Sequence, residues 1–332
     1  MMNLPEKIRI ATLPTRIERL ERFTKYMDIP VEIYIKRDDE TGIYATGNKI
    51  RKLEYISLYA IKNGYDTLIT CGGIQSNHSR TTAYLGATLG LDVYLVLKGK
   101  EPLTLDGNYL MDKLFGAEIK WVSEEEYAEN IDEILQDLKD YLKSKDKKPL
   151  VIPEGASYPL GLFGYIEAAK EIKEQLDVMG ISMDYIVSSV GSGGTFAGFL
   201  LGQSLFKLET EMYGINVCDS AEFFINKIHK LILEFNKLYP EYSNTEIQKD
   251  SIKIIDGYIG KGYGIPYEEE MEIIKVLAKT EGIILDPVYT GKAFYGMLKE
   301  VKNGTFKENS RILFVHTGGI YSIFPQKKHF IF

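Results

Sequence analysis

Three glycine-rich turns and one lysine offer residue types that could do chemistry. The first turn comprises Gly191, Ser192, Gly193, Gly194 and Thr195. It directly follows the apolar segment 185–190 and precedes the helix-period segment 196–205. A glycine-rich turn between a strand and a helix lets backbone N–H groups converge on an anion at the positive end of the helix. The 191–195 turn is therefore predicted to bind a phosphate, with a tight turn that binds nothing as the alternative.

The 191–195 turn differs from two common nucleotide-binding motifs. A dinucleotide fingerprint needs a third small residue where Phe196 stands, and a P-loop needs a Gly-Lys-Ser/Thr sequence that does not follow here. A nicotinamide-dependent dehydrogenase would use the first of these motifs, so the missing glycine counts against that function.

The second turn, residues 71–80, also lies between a predicted strand and a predicted helix. Gln75, Ser76 and Asn77 supply polar groups there beside the free N–H groups of the helix start, an arrangement that can hold a substrate carboxylate. The alternative is that Ser76 or Asn77 serves only as the helix N-cap. His78 has no second histidine at ligand spacing, so the sequence predicts no metal site.

Lys49 follows Gly47 and Asn48 at a predicted helix start. The helix dipole disfavours a cation at that end, which points to a further role for Lys49, with an ordinary surface lysine as the alternative. The third turn, residues 314–319, ends the last predicted strand, and Tyr289 precedes another predicted helix. Taken alone, such an aromatic residue belongs more often to the core than to a cofactor site.

Short β-branched segments alternate with helix-period segments along almost the whole chain. The predicted strands are 31–36, 67–71, 93–97, 118–122, 185–190, 212–217 and 312–316. Between them apolar residues recur three or four positions apart, and the 124–148 segment is predicted to form a solvated amphipathic helix. This order predicts an α/β fold in which helices cover both faces of parallel sheets.

The composition narrows the function classes. The 332 residues are 45% hydrophobic and 26% charged, which is typical of a soluble globular protein of about two domains. With 40 basic and 47 acidic residues the net charge is −7, so no nucleic-acid partner is expected. Cys71 and Cys218 suggest neither a disulfide framework nor a thiolate zinc site. Residues 1–7 contain no apolar signal segment and no apolar run could span a membrane, so we expect a cytoplasmic protein without a membrane partner.

In their order along the chain, the motifs resemble the 1-aminocyclopropane-1-carboxylate (ACC) deaminase and D-cysteine desulfhydrase family of pyridoxal-phosphate (PLP) enzymes. The resemblance covers almost the whole chain, and the ordered occurrence of the motifs is specific although each is modest alone. They are TLPTRIERL at 12–20, KRDD at 36–39, GNKIRKLE at 47–54, GGIQSNH at 72–78, GSGGT at 191–195, GYG at 262–264, DPVY at 286–289 and HTGG at 316–319.

The resemblance implies a role for each candidate residue. The amine of Lys49 would bind the cofactor covalently, the 191–195 turn with Lys52 would bind its phosphate, and Tyr289 would stack on its ring. The implied catalytic residues are Lys49, Ser76, Tyr263 and Tyr289. The implied cofactor contacts are Lys49, Lys52, Asn77, Gly191, Ser192, Gly193, Gly194, Thr195, Tyr289, Thr290 and Thr317. The implied substrate contacts are Gln75, Ser76, Asn77 and Tyr263.

The resemblance also implies an architecture, the PLP fold type II. It has two open, twisted, mainly parallel sheets with helices on both faces. A smaller domain, 52–158, would be inserted in a larger one formed by 1–51 and 159–332, in accord with the Pro- and Gly-rich sequence at 149–161. A homodimer is implied as well. The segment GASYPLG at 155–161 departs from the family's usual Gly-Gly-Ser-Asn-Pro form.

Thr290 and Thr317 indicate which reaction the resemblance implies. ACC deaminases of the family typically have Glu and Leu at these positions. A carboxylate beside the ring nitrogen of the cofactor would strengthen its pull on electrons, and opening the ACC ring needs this because the α-carbon has no hydrogen. Two neutral threonines suffice for α-proton removal followed by loss of a thiolate.

We therefore expect α,β-elimination from D-cysteine, or from a close β-substituted D-amino acid, to pyruvate, ammonia and sulfide. The alternatives are ACC deamination, another amino-acid lyase or isomerase activity, and a non-catalytic PLP or amino-acid binding protein.

Overall fold

The structure, a computed structural model, describes residues 3–243 and 246–331; Met1 and Met2 of the segment considered as a signal lie outside it. Ten strands occur within the described residues. They are β1 (Ile17–Arg19), β2 (Glu32–Lys36), β3 (Thr67–Gly73), β4 (Asp92–Lys98), β5 (Glu118–Val122), β6 (Pro149–Val151), β7 (Tyr185–Val190), β8 (Glu211–Asn216), β9 (Lys253–Ile255) and β10 (Arg311–Val315).

The strands form two sheets. The six-stranded sheet has the order β1-β2-β10-β7-β8-β9, in which only β1 is antiparallel to its neighbour. The four-stranded sheet has the order β5-β4-β3-β6 and is parallel throughout. Because consecutive parallel strands need a crossover, helices connect them.

Ten α-helices lie in the part of the chain that the structure describes. They are α1 (Glu21–Met27), α2 (Asn48–Lys62), α3 (Asn77–Leu89), α4 (Gly107–Leu114), α5 (Glu124–Lys143), α6 (Pro159–Met179), α7 (Gly194–Phe206), α8 (Ala221–Leu238), α9 (Glu268–Glu281) and α10 (Thr290–Asn303). Short 3₁₀ helices at Asp38–Glu40, Glu154–Ala156, Pro240–Tyr242, Lys249–Ser251 and Ile320–His329 complete the elements. None of these described helices is long and apolar enough to cross a membrane.

Both sheets carry apolar side chains on their two faces, as expected of buried parallel strands. Along β7, Ile186 faces one core cluster with α6, α7 and α8, whereas Tyr185 and Val187 face another with α1, α9 and α10. The four-stranded sheet packs against α2 and α3 through Leu68 and against α5 through Ile69. The predicted α/β class, with mainly parallel sheets between helices, is confirmed.

All seven predicted strands are present, with ends shifted by no more than two residues. The three strands that the sequence did not predict, β1, β6 and β9, have only three residues each. The predicted 124–148 helix ends earlier, at Lys143. The division into domains at 51/52 and 158/159 stays a prediction, and its first boundary falls inside α2.

Candidate active site

The candidate site is a cavity of about 250 Å³ at the carboxyl ends of strands from both sheets. Parallel strands present their following loops at one edge, which is where α/β proteins place ligands. Its wall includes residues that follow β3, β7, β8 and β10. The sequence-predicted residues in the wall are Lys49, Ser76, Asn77, Gly191, Ser192, Gly193, Thr195, Tyr263, Tyr289 and Thr317.

Lys49 lies in the first turn of α2, and its neighbour Gly47 (φ 105°) allows the helix start to approach the strand end of β10. A Cβ at Gly47 would lie 2.5 Å from the carbonyl oxygen of Thr317, and the Asn48 N–H donates to that oxygen at 3.0 Å. Burial lowers the pKa of Lys49 to about 8, although Glu154 and Asp286 favour the ammonium form. A larger fraction of this amine is therefore neutral and nucleophilic near neutral pH than of an ordinary lysine.

The 191–195 turn connects β7 to α7, and α7 begins at Gly194 without a side-chain cap. A Cβ at Gly194 would lie 2.9 Å from Nζ of Lys52 and 2.6 Å from Oγ of Ser157. The Ser157 hydroxyl donates to the Ser192 hydroxyl at 2.9 Å. Free N–H groups, two hydroxyls and a lysine thus converge where glycine leaves space, which is a suitable environment for an anion.

Lys52 lies behind Gly194 rather than in the wall of the cavity. Its side chain is fully buried, and its ammonium donates to the carbonyl of Gly155 at 3.1 Å. The pKa of Lys52 is well below the ordinary value, mainly because the side chain is buried and also because Lys49 and Lys227 are positively charged. A bound dianion would relieve this repulsion, so the three lysines favour a phosphate at the 191–195 turn.

The second predicted turn forms the start of α3. Ser76 is the N-cap and accepts from the Ser79 N–H at 3.1 Å, so its hydroxyl has the structural role that the sequence left open. The Asn77 side chain lines the cavity and accepts from the Asn108 amide at 3.0 Å. Gln75 does not line the cavity, because its amide is bonded to Asn108 N–H and to the Asp106 carbonyl.

Tyr263 and Tyr289 meet across the cavity, and their hydroxyl groups are hydrogen-bonded to each other. Their ring centroids are 5.7 Å apart in an edge-to-face arrangement. The Tyr289 ring also packs on Gly191, where a Cβ would lie 2.8 Å from it. Burial raises the pKa of both phenols, so both keep their protons at neutral pH and can donate hydrogen bonds.

The two threonines have different surroundings. Thr317 lines the cavity, and its hydroxyl lies 3.3 Å from that of Ser189. Thr290 does not line the cavity, so its expected position beside the cofactor stays a prediction. It is the first residue of α10, and its hydroxyl donates to the Asp286 carboxylate at 2.7 Å while accepting from the Asp286 N–H at 2.8 Å. The Thr290 hydroxyl is therefore engaged in hydrogen bonds with Asp286 at the start of α10.

Sequence reasoning missed several residues of the wall, among them Glu154, Lys98, Lys227 and Ser189. Lys98 is the last residue of β4, and Glu154 follows β6. Their positions after parallel strands could have indicated them, but β6 is too short to be recognised from the sequence. Lys227 and Ser189 carry no local signal, since one lies within α8 and the other within β7.

These contacts fit a phosphorylated aldehyde such as PLP. The cavity provides a lysine amine with a lowered pKa, an anion site that a single Cβ would fill, and an aromatic ring beside them. His78 also lines the wall, but burial holds its pKa well below the ordinary value and Nε2 is engaged with the Thr70 hydroxyl at 2.7 Å. Among the described residues, no group of three or more His, Cys, Asp and Glu side chains is suited to a metal ion.

Comparison with known proteins supports the same cofactor. A family model described as pyridoxal-phosphate dependent enzyme matches residues 8–318. A putative ACC deaminase of Thermotoga maritima is 43% identical, with 98% of this chain and 100% of the relative covered. A bifunctional D-cysteine desulfhydrase/ACC deaminase, mitochondrial, of Arabidopsis thaliana is 40% identical over 96% of this chain and 79% of the relative.

A solved structure agrees with these relatives. The crystal structure of an ACC deaminase homologue superposes with a TM-score of 0.87 at 37% identity, covering 97% of this chain and 94% of the other. The chain is therefore a PLP-dependent enzyme and belongs to the family of ACC deaminases and D-cysteine desulfhydrases.

Proposed function

We propose that the protein eliminates the β-substituent of D-cysteine, or of a close β-substituted D-amino acid, with PLP as cofactor. D-cysteine and water would give pyruvate, ammonia and hydrogen sulfide. The observation that carries this proposal is the pair of neutral hydroxyls of Thr317 and Ser189 in the cavity wall. The nearby carboxylate of Asp286 is buried and accepts from three backbone N–H groups and the Thr290 hydroxyl.

The cofactor would be held by side chains on every side of the cavity. Lys49 would bind it through its amine, Tyr289 would cover its ring, and Thr317 would donate to its ring nitrogen. Its phosphate would lie at the 191–195 turn, near the ammonium of Lys52. When bound, PLP supplies an electron sink for bonds at the α-carbon of an amino acid.

The residues of the chain would then supply binding groups and protons. The start of α3 provides the N–H group of Asn77 for the substrate carboxylate, whereas the Ser76 N–H already donates to the Gly73 carbonyl at 3.0 Å. The amine of Lys49 can take the α-proton, because its lowered pKa makes it an effective base near neutral pH. The protonated phenol of Tyr263 can donate to the substituent that leaves the β-carbon. Gln75 has no such role in this proposal, since its amide is engaged elsewhere.

ACC deamination is the second candidate, because the Thermotoga and Arabidopsis relatives carry that activity in their names. A neutral hydroxyl beside the ring nitrogen gives less help to the opening of the ACC ring than a carboxylate would. The two reactions release different keto acids, pyruvate from D-cysteine and 2-oxobutanoate from ACC.

A substrate panel tests the proposal. The purified, PLP-loaded protein is incubated separately with D-cysteine, L-cysteine, β-chloro-D-alanine, D-serine and ACC, while keto acid, ammonia and sulfide are measured. We expect pyruvate from D-cysteine and β-chloro-D-alanine at rates at least about tenfold above those with ACC, about 1.4 kcal/mol in the barrier. Efficient formation of 2-oxobutanoate from ACC without sulfide from D-cysteine would reverse the assignment. A protein that is yellow but inert to the whole panel would support a binding function instead.

A homodimer and a cytoplasmic location also stay predictions. Size-exclusion chromatography with light scattering tests the first, and fractionation of the source cells tests the second.

A further inference from the structure

Tyr263 belongs to a segment, residues 259–264, whose backbone has unusual freedom. Gly260, Gly262 and Gly264 have φ angles of 70°, 144° and 71°, and the segment contains neither helix nor strand. Glycine loses more conformational entropy on ordering than any other residue. Tyr263 lies between two such glycines, so its position is fixed only if the backbone of the segment is hydrogen-bonded to other parts of the protein.

Lys292 provides two of these attachments. Its side chain is fully buried in α10, and Nζ donates to the carbonyl oxygens of Ile259 at 2.6 Å and of Gly262 at 2.7 Å. The second of these peptides immediately precedes Tyr263. The lysine therefore holds the amino-terminal side of the tyrosine to α10.

Gln326, in the last 3₁₀ helix, provides the attachment on the other side. Its amide donates to the carbonyl oxygen of Gly264 at 2.9 Å. The backbone on both sides of Tyr263, at the carbonyls of Gly262 and Gly264, is thus bonded to side chains from outside the segment. Neither Lys292 nor Gln326 lines the cavity, so any effect on a reaction would be transmitted through the backbone that they hold, which places Tyr263 in the cavity wall.

The position of Lys292 in α10 links the two tyrosines. Tyr289 is the N-cap of that helix, and Lys292 follows it by three residues, about one turn. The helix that places Tyr289 in the cavity therefore also holds the segment of Tyr263, whose hydroxyl is bonded to that of Tyr289.

A buried carboxyl group lies near this lysine. Glu270 is fully buried, and neither of its carboxyl oxygens has a hydrogen-bond partner among the described residues. Burial lowers the pKa of Lys292, whereas the Glu270 carboxyl acts in the opposite direction and favours the ammonium. Burying a lysine with so few partners is costly, which argues that its two backbone contacts have a use.

We propose that Lys292, together with Gln326, is a positioning residue that fixes Tyr263 against Tyr289 for the reaction. This inference rests on the proposed role of Tyr263 as the residue that faces the substrate. A displacement of about 1 Å at a reacting group can cost up to a hundredfold in rate, so loss of the attachments should reduce turnover strongly.

The test compares Lys292→Met and Gln326→Ala with Lys299→Met, a matched control on the same helix. Lys299 is exposed and lies over the Tyr295 ring, and among the described residues it makes no hydrogen bond to the 259–264 segment. Tyr263→Phe serves as the reference for the role of the tyrosine. For each PLP-loaded protein, kcat and KM are measured with the best substrate of the panel, the absorption band of the bound cofactor is recorded, and hydrogen–deuterium exchange is followed in peptides covering 256–266.

We expect Lys292→Met to lower kcat about tenfold or more, with KM changed less than about twofold and the cofactor band retained. Exchange in 256–266 should accelerate in Lys292→Met and in Gln326→Ala, and stay unchanged in Lys299→Met. Gln326→Ala keeps the test valid if Lys292→Met does not fold, because its side chain is only partly buried.

The kinetics of Tyr263→Phe separate the proposed role of Tyr263 from the positioning role of Lys292. If Tyr263→Phe leaves kcat unchanged, the proposed role of the tyrosine is wrong. If Tyr263→Phe lowers kcat but both attachment variants turn over normally, with or without faster exchange, the positioning role of Lys292 is wrong.

Discussion

Three amines, those of Lys49, Lys52 and Lys227, determine the electrostatics of the cavity. Burial lowers the pKa of Lys49 to about 8, and it holds that of Lys52 well below the ordinary value with the other two lysines adding to the effect. In the proposed arrangement the cofactor would bring an aldehyde for the first amine and a phosphate for the positive charge of the others. The repulsion between these lysines in the cofactor-free protein would then be replaced by attraction to the bound phosphate.

The lowered pKa of Lys49 predicts how cofactor capture depends on pH. Only the neutral amine attacks an aldehyde, so the rate at which the cofactor-free protein captures PLP should rise with pH up to about 8 and level off above it. An ordinary lysine would continue to gain until about pH 10.4. Stopped-flow absorbance between pH 6.5 and 10 measures this rate, and Lys49→Ala should capture none. A rise that continues to pH 10 would contradict the prediction.

Gly194 offers a sharper test of the phosphate site than Gly193. A Cβ at Gly193 would approach Ile228, at 3.2 Å, whereas a Cβ at Gly194 would lie between Lys52 and Ser157. Gly194→Ala should therefore weaken PLP binding about tenfold or more, about 1.4 kcal/mol. Gly180→Ala is the control, because its φ of 65° strains an alanine in open space far from the cavity. Equilibrium titration gives both affinities, and an unchanged value for Gly194→Ala would place the phosphate elsewhere.

At the scale of the elements, the sequence predicts strands and helices that have a repeating apolar pattern. It does not predict features that depend on a single side-chain contact. Strands such as Tyr185–Val190 are recognised because a buried strand needs an apolar run, while three-residue strands such as Pro149–Val151 offer too few positions for a pattern. Lys49 and Tyr289, which the sequence singles out at predicted helix starts, both line the cavity. The engagement of Thr290 with Asp286 could not be foreseen, because it depends on the local start of α10.

The turn Glu154–Ala156 has a strained backbone conformation, which could not be predicted from the sequence. Ala156 has a φ of 51° and is fully buried, at the position where the family usually has glycine. A left-handed conformation costs an L-residue about 1–2 kcal/mol. The turn places Glu154 in the cavity wall, so the strain lies next to the reaction site.

Ala156→Gly should change the free energy of unfolding by less than about 1 kcal/mol. Relief of the backbone strain offsets the loss of one buried methyl group, about 0.8 kcal/mol, and the greater entropy of the unfolded glycine chain. Ala169→Gly, at a fully buried position inside α6, has no strain to relieve and should lose about 2 kcal/mol. Urea denaturation of the two variants measures the difference, and equal losses would mean that Ala156 is unstrained.

At the scale of the whole molecule, a buried ionic network joins β2, α2 and α6. Arg51 donates to Asp38 at 2.8 Å and to Glu171 at 2.9 Å, and Lys36 is bonded to the same glutamate. Arg51, Lys36 and Asp38 are buried completely, and Tyr165 donates to Asp38 at 2.7 Å. Charges without water are stable only while each keeps its partners, so the network ties the helix of Lys49 to the six-stranded sheet.

Arg51→Met should lower the free energy of unfolding by about 3–5 kcal/mol at pH 7, because it leaves the buried carboxylate of Asp38 and the largely buried carboxylate of Glu171 short of a partner. Lys62→Met, which removes an exposed ion pair with Glu6, should cost much less. Denaturant titration compares them; similar losses would show that the network adds nothing beyond a surface pair.

The same network predicts the response to acid. Burial alone would raise the pKa of Asp38 and of Glu171, but Arg51 brings both below their ordinary values. The folded protein therefore binds these protons more weakly than the unfolded chain does, and the stability they contribute is lost as the pH falls below about 4. In Arg51→Met this part of the acid sensitivity should disappear.

The contact between Gly47 and Thr317 has a consequence for synthesis in the cell. A ribosome makes the chain from its amino terminus at about 5–20 residues per second, and about 270 residues separate Lys49 from Thr317. The reactive amine therefore leaves the ribosome on the order of tens of seconds before the turn that completes its surroundings. During that interval the surroundings of Lys49 are incomplete, so we expect the protein to retain a vitamin B6 derivative only after its synthesis is finished.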